Sequence, residues 1–188
     1  MQNRKEASED RPLETAIFAG GCFWHTEAAF EEVDGVVSAV SGYTGGHREN
    51  PTYEQVSTGL TGHYEAVKVT YDPSVITYKQ LLDIFWRNID PIDQFGQFYD
   101  KGSQYKTAIF YRNETQRKLA EESKKKLQES GLFDKPIATA ILPASKFYEA
   151  EEYHQDYYKK SASRYQRYKK GAGFEEKLDR IWKGKQGA

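Results

Sequence analysis

Apolar positions along the chain recur with two different periods, and the changes between them mark out the elements. The stretch "ETAIFAG" (14–20) is an apolar run of strand length, and "FWHTEAAFEEV" after it carries Phe23, Glu27 or Ala28, and Phe30 at helical spacing. "VVSAVSGY" and "EAVKVTYD" read as strands. The second puts Glu65, Val67, Val69 and Tyr71 on one face, because successive strand side chains alternate. Thr77 and Gln80 form a capping-box pair ahead of Leu81, Leu82, Ile84, Phe85 and Trp86, so a helix starts after Thr77. "YKTAIFYR" is a further strand, "ETQRKLAEESKKKLQES" an amphipathic helix closed by Gly131, and "PIATAILPA" another strand. "DG" at 34–35, "GGHRENP" at 45–51 and "GLTGH" at 59–63 punctuate these segments as turns.

The first six elements run strand, helix, strand, strand, helix, strand. That order is the split β-α-β unit of ferredoxin-like folds, so the expected fold is an α+β sandwich with helices on one face of a largely antiparallel sheet. Beyond residue 145 the periodicity weakens, which predicts a long, partly irregular C-terminal extension over 145–188. Residues 1–13 are expected to be flexible, and 1–188 to form a single domain, since 188 residues can build a core without metal or disulfide support.

Composition narrows the partners. Lys plus Arg number 27 and Asp plus Glu 28, so no global field gathers nucleic acid or anionic lipid. The run "YYKKSASRYQRYKK" interleaves tyrosines with basic residues, a pattern that can stack on single-stranded nucleic acid, but a solvated helix face is its commoner form. The opening "MQNRKEASEDRPLE" has no apolar h-region, and no apolar run reaches bilayer length. A monomeric cytoplasmic protein with no nucleic-acid and no membrane partner is expected. One cysteine excludes an internal disulfide, which fits a reducing compartment.

That cysteine carries the candidate chemistry. Cys22 falls where the first strand ends and the first helix begins, after two glycines that allow a tight turn and close backbone approach. Free amides and the helix dipole at such an elbow are expected to lower the thiol pKa and supply a thiolate nucleophile. A lone cysteine is otherwise a small buried hydrophobe. Phe23 and Trp24 are ordinary core types, yet adjacent residues at a helix start cannot both point inward, so one or both are placed to wall an apolar pocket beside the sulfur. His63 and His154 belong to no pair with zinc-like spacing, so no metal is expected.

In order and spacing, "GGCFWHTEAAFEEVDGVVSAVSGYTGG", "NPTYEQVSTGLTGHYEAVKVTYDP", "LLDIFWRNIDP" and "GQFYDKGSQYKTAIFY" resemble the A-type peptide methionine sulfoxide reductases, over residues 15 to about 158. The combination of "GCFW", "TGHYEAV" and "DKGSQY" is highly specific. The resemblance implies an α+β sandwich, no bound metal or prosthetic group, and reduction of methionine-S-sulfoxide, free or in proteins. It implies Cys22 as nucleophile, Phe23 and Trp24 as the pocket for the substrate methyl, and Glu65 as the acid. Tyr53 and Tyr105 then hydrogen-bond the sulfoxide oxygen and Asp100 orients the site. These types suit the chemistry: the sulfoxide oxygen must be protonated as the thiolate attacks, and tyrosines add donors that do not compete as bases. "AEEYHQDYY" also resembles the family's tail, which packs back near the site.

One departure from many relatives matters. A second cysteine often stands in the segment matching "EQVSTG" or near the C-terminus, whereas this chain has Ser57 and no later thiol. A Cys22 sulfenic acid must then be recycled by an external reductant: thioredoxin, glutaredoxin with glutathione, or dithiothreitol in vitro. Two other functions also use such residues. A thiol peroxidase or cysteine hydrolase needs a reactive Cys22, the hydrolase with His25 as base, and a non-enzymatic peptide-binding module needs only the aromatic pocket.

Overall fold

The computed structural model describes residues 12–183. Of the opening expected to be flexible, residues 1–11 lie outside the described residues. The elements are β1 (Glu14–Gly20), α1 (Phe23–Glu31), β2 (Val36–Thr44), α2 (Tyr53–Ser57), β3 (Tyr64–Tyr71), α3 (Tyr78–Arg87), β4 (Gly96–Gln97), β5 (Asp100–Lys101), β6 (Thr107–Tyr111), α4 (Glu114–Glu129), β7 (Ala140–Pro143), β8 (Tyr148–Glu149), α5 (Tyr157–Lys160), α6 (Ala162–Ala172) and α7 (Phe174–Trp182). Six strands form one sheet in the order β7-β6-β1-β3-β2-β8. Its centre, β6-β1-β3-β2, is antiparallel throughout and is the split β-α-β unit expected from the element order. β8 extends one edge antiparallel to β2, and β7 the other edge parallel to β6.

β1 reads as an unbroken apolar run because both of its faces are covered. Ala16 and Phe18 face the helical layer, while Ile17 and Ala19 face Phe110, Leu142, Ala144 and Phe147 on the far side. Phe18, fully buried, stacks on Phe30 of α1 at 5.0 Å and on Phe85 of α3 at 5.1 Å. Burying one such side chain contributes about 1.5–3 kcal/mol, so this column ties both helices to the centre of the sheet. On α1 it is Glu27, not Ala28, that is buried beside Phe23 and Phe30.

The capping box of Thr77 and Gln80 opens α3 as expected. A second box, Thr52 with Gln55, opens α2, a helix too short to show periodicity in the sequence. Asn113 caps α4.

The C-terminal extension is more helical than expected. After an irregular stretch around β8, three helices run to residue 182, and Gly173 in the left-handed region (φ +64°) turns α6 into α7. Trp182 donates to the Ile89 carbonyl at 3.1 Å and Phe174 packs on His25 and Phe98, so the extension returns over α1 and the end of α3. No helix among the described residues is long and apolar enough to cross a membrane.

Candidate active site

Cys22 is the N-cap of α1, two residues past the end of β1. The turn requires both glycines. Gly21 has φ +87°, and a Cβ there would sit 2.7 Å from Cβ of Gln97; one at Gly20 would sit 2.8 Å from Oγ1 of Thr26. The close approach places Cys22 in the interior, 8 % exposed.

The amides of the helix start are mostly committed elsewhere. His25 and Thr26 donate to the Cys22 carbonyl, and Phe23 donates to Glu65 Oε1 at 3.2 Å, which leaves the Trp24 N–H to the sulfur. Here the structure corrects the expectation of a lowered thiol pKa. Burial pushes Cys22 well above the ordinary thiol value, reinforced by the mutual opposition of its ionisation with those of Glu65 and then Asp100; the Tyr168 hydroxyl and the Trp24 amide oppose this only in part. At rest the residue is a thiol.

Glu65 lies on the helix-facing side of β3, opposite Tyr43 of β2, and is 1 % exposed. Burial pushes its carboxyl up to about 8, opposed by the Phe23 N–H and reinforced by Asp100. Its Oε2 has no hydrogen-bond partner among the described residues. A neutral carboxylic acid with an open oxygen thus stands beside the sulfur. Tyr53 from the first turn of α2 and Tyr105 from the turn before β6 both feel the charges of Glu65 and Cys22, and both are pushed up, first by burial, so each hydroxyl keeps its proton. Asp100 of β5 reaches the same centre and accepts a hydrogen bond from Tyr168.

Phe23 is fully buried against Tyr43 (5.8 Å) and His154 (5.1 Å). Trp24 stays part-exposed, stacked on Tyr157 at 3.9 Å, with its indole N–H donating to Nδ1 of His154 at 3.1 Å. The seven residues carried over from the resemblance therefore converge on one place, and three partners had been given no role at it. Glu151 accepts from the Tyr43 hydroxyl and the Tyr53 amide, His154 holds Trp24, and Tyr168 donates to Asp100. "AEEYHQDYY" signalled the first two; Tyr168 had no signal inside its basic run. In that run Tyr157, Tyr165 and Tyr168 turn towards the core while Lys159, Lys160 and Lys169 pair with Glu31, Glu152 and Glu175.

His25 and His63 are occupied. His25 is held by the Asn88 carbonyl at 3.2 Å, stacks on Phe174, and is pushed down to about 4 by burial, so the base that a cysteine hydrolase needs is committed elsewhere. His63 accepts from the Gly46 amide and bonds the Arg48 carbonyl. Among the described residues the acidic group with the geometry to hold a cation is Glu27, Glu31 and Asp156, with ligand atoms within 4.8 Å of one another. Ser41 and the Asp156 amide already occupy Glu27, and Lys159 pairs with Glu31.

The model of the family described as "Peptide methionine sulfoxide reductase" matches residues 14–186. The chain belongs to this family. It is 59% identical over 169 residues to the peptide methionine sulfoxide reductase MsrA of Bacillus licheniformis, covering 90% of this chain and 93% of that protein. Among solved structures, Mxr1 from Saccharomyces cerevisiae in reduced form superposes with a TM-score of 0.74 at 35% identity, over 79% of this chain and 85% of that one. Mxr1 in complex with Trx2 superposes at 0.54 with 26% identity, over 81% of this chain and 91% of that one. The family's model thus spans both the sheet and the C-terminal helices that supply Tyr168.

Proposed function

We propose that the chain reduces methionine-S-sulfoxide, free or within oxidised proteins, to methionine, with Cys22 as nucleophile and Glu65 as the acid. The observation that carries this reading is Glu65 itself: 1 % exposed, bonded through one oxygen to the Cys22 helix, open at the other, and neutral because its carboxyl is pushed up to about 8. The Cys22 sulfur attacks the sulfoxide sulfur as Glu65 gives its proton to the oxygen. The oxygen passes to Cys22, and methionine leaves. Thiol plus sulfoxide yields sulfenic acid plus thioether, so the cysteine sulfur loses the two electrons that the methionine sulfur gains.

Tyr53 and Tyr105 donate to the sulfoxide oxygen, a role supported by hydroxyls that stay protonated. Asp100 orients the site. Phe23 and Trp24 receive the substrate methyl, supported by their rings lying against the aromatic group around His154.

No other thiol exists in the chain, so the Cys22 sulfenic acid is returned to thiol by an external reductant, in the cytoplasm. The Mxr1–Trx2 complex favours a thioredoxin. Glutaredoxin with glutathione, or dithiothreitol in vitro, supplies the same two electrons. No bound cofactor enters the reaction. Incubation with resolved methionine sulfoxide epimers and dithiothreitol tests the reading. Methionine from the S epimer alone is expected, and none from either epimer overturns it.

A further inference from the structure

Beyond β8 the chain leaves the sheet but stays fixed to the strand it left. Ala150 donates to the Ser41 carbonyl of β2 at 2.9 Å. The Ser41 N–H is then met by a side chain instead of a strand: the Gln155 amide accepts from it at 3.0 Å, and donates to the Ser41 carbonyl at 2.9 Å and the Ala150 carbonyl at 3.0 Å. From the helical side, Glu27 of α1 accepts from the Asp156 amide at 2.7 Å and from the Ser41 hydroxyl. Ser41 and Glu27 are buried, so water cannot stand in for a lost partner. Asp156 lies in the left-handed region at φ +54°, which a non-glycine residue keeps only where its surroundings hold it.

Between these fixings residues 150–155 form an arch, stiffened by one 3-10 turn in which His154 donates to the Glu151 carbonyl and Gln155 to that of Glu152. The arch carries two holders of site residues. Glu151 accepts from the Tyr53 amide at 3.1 Å, and His154 accepts from the Trp24 indole at 3.1 Å and packs on the Tyr53 ring at 4.4 Å. A displacement of the arch by about 0.5 Å takes both hydrogen bonds out of range.

We propose that Gln155 and Glu27 are positioning residues for the reduction: by fixing the arch to Ser41 they set the orientation of Tyr53 and Trp24 at the sulfoxide. This rests on the reduction proposed above. Their hydrogen-bond partners are Ser41, Ala150 and Asp156, so they act through the arch and not on the reacting atoms. Cys22, Glu65, Asp100 and Tyr105 stand outside the arch. Freeing it therefore leaves nucleophile and acid in place but loosens the oxygen donor and the methyl pocket.

Gln155→Met keeps the length of the side chain and removes its hydrogen bonds. Glu27→Met removes the fixing on Asp156, whereas Glu27→Gln keeps it, because an amide accepts from Asp156 and donates to the Ser41 hydroxyl. Two measurements are compared with the native protein: the nuclear magnetic resonance signals of the indole N–H groups without substrate, and the single-turnover rate of methionine formation. Trp86, which donates to Ser123, and Trp182, which donates to the Ile89 carbonyl, are the internal reference. In both Met variants the Trp24 signal is expected to move while the other two stay, and the rate to fall about tenfold or more; Glu27→Gln is expected to match the native protein in both. Where one Met variant does not fold, the other decides. An unmoved Trp24 signal, all three signals moving together, a rate within twofold of native, or a Glu27→Gln as slow as Glu27→Met overturns the proposal. The indole signals need no substrate, so failure of the native protein to form methionine is a separate result that bears on the reduction alone.

Discussion

The backbone N–H of Phe23 donates to Glu65 Oε1 at 3.2 Å, joining residues 42 positions apart. This bond aims the first amide of α1 at the acid and away from the nucleophile. It holds Glu65 close to the sulfur with one oxygen open, where its charge, after burial, opposes ionisation of Cys22. The pair works in its uncharged form, and each ionisation opposes the other.

Glu65 is active as a carboxylic acid whose pKa is pushed up to about 8, so reduction slows as pH rises through that value. Glu65→Gln cannot donate an acidic proton. Its single-turnover rate should fall by about 100-fold or more at neutral pH, and the alkaline decline due to this group should vanish. A pH–rate profile for methionine formation, unchanged in shape, would count against the assignment.

Reaction with one equivalent of substrate and no reductant should leave one sulfenic acid and no thiol. Mass spectrometry should find a dimedone adduct on Cys22 and methionine in equal amount, with no internal disulfide, because the chain has no second cysteine. Cys22→Ser should fold normally yet form no methionine, since a hydroxyl is a far weaker nucleophile. Methionine release in the absence of any adduct would reject the sulfenic acid.

Gly21→Ala places a Cβ at φ +87° and 2.7 Å from Gln97, whose amide is itself locked to Asp90 on both sides. The strained φ and the collision together should cost roughly 2 kcal/mol or more in urea unfolding. Reduction should fall further than stability, because the residue displaced is the neighbour of Cys22. Native-like stability would contradict the geometry of the turn.

Glu27, 1 % exposed, accepts from Ser41 and from the Asp156 amide, and burial pushes its carboxyl from 4.5 up to about 7. The folded state holds the proton more tightly than the unfolded chain. Its contribution is therefore complete below the unfolded pKa and is lost as pH rises through about 7. Glu27→Gln should be stabilised relative to the native protein by an amount that grows over this window, on the order of 3 kcal/mol at its alkaline end. Denaturant unfolding at several pH values measures the difference, and a constant difference would refute the shift.

The segments of the fold were legible because each carries its own local signal. The apolar run of β1, the alternation of β3 and the box at Thr77 are decided by residues adjacent in the chain, and their order alone implied the split β-α-β unit. α2 escaped because five residues show no period, and β4 with β5 because two-residue strands have no pattern to read.

The chain by itself determined that one thiol sits on a glycine elbow at a strand-to-helix junction, and that no second thiol can resolve it. The family resemblance named the other site residues. Only the tertiary structure decided the protonation of that thiol and the place of Tyr168. Cys22 at a helix start looks activated, but the Phe23 amide goes to Glu65, the interior excludes water, and acidic side chains from β3 and β5 face the sulfur. A pKa is set by burial and by charges gathered from remote segments. Neither is written in the residues next to Cys22.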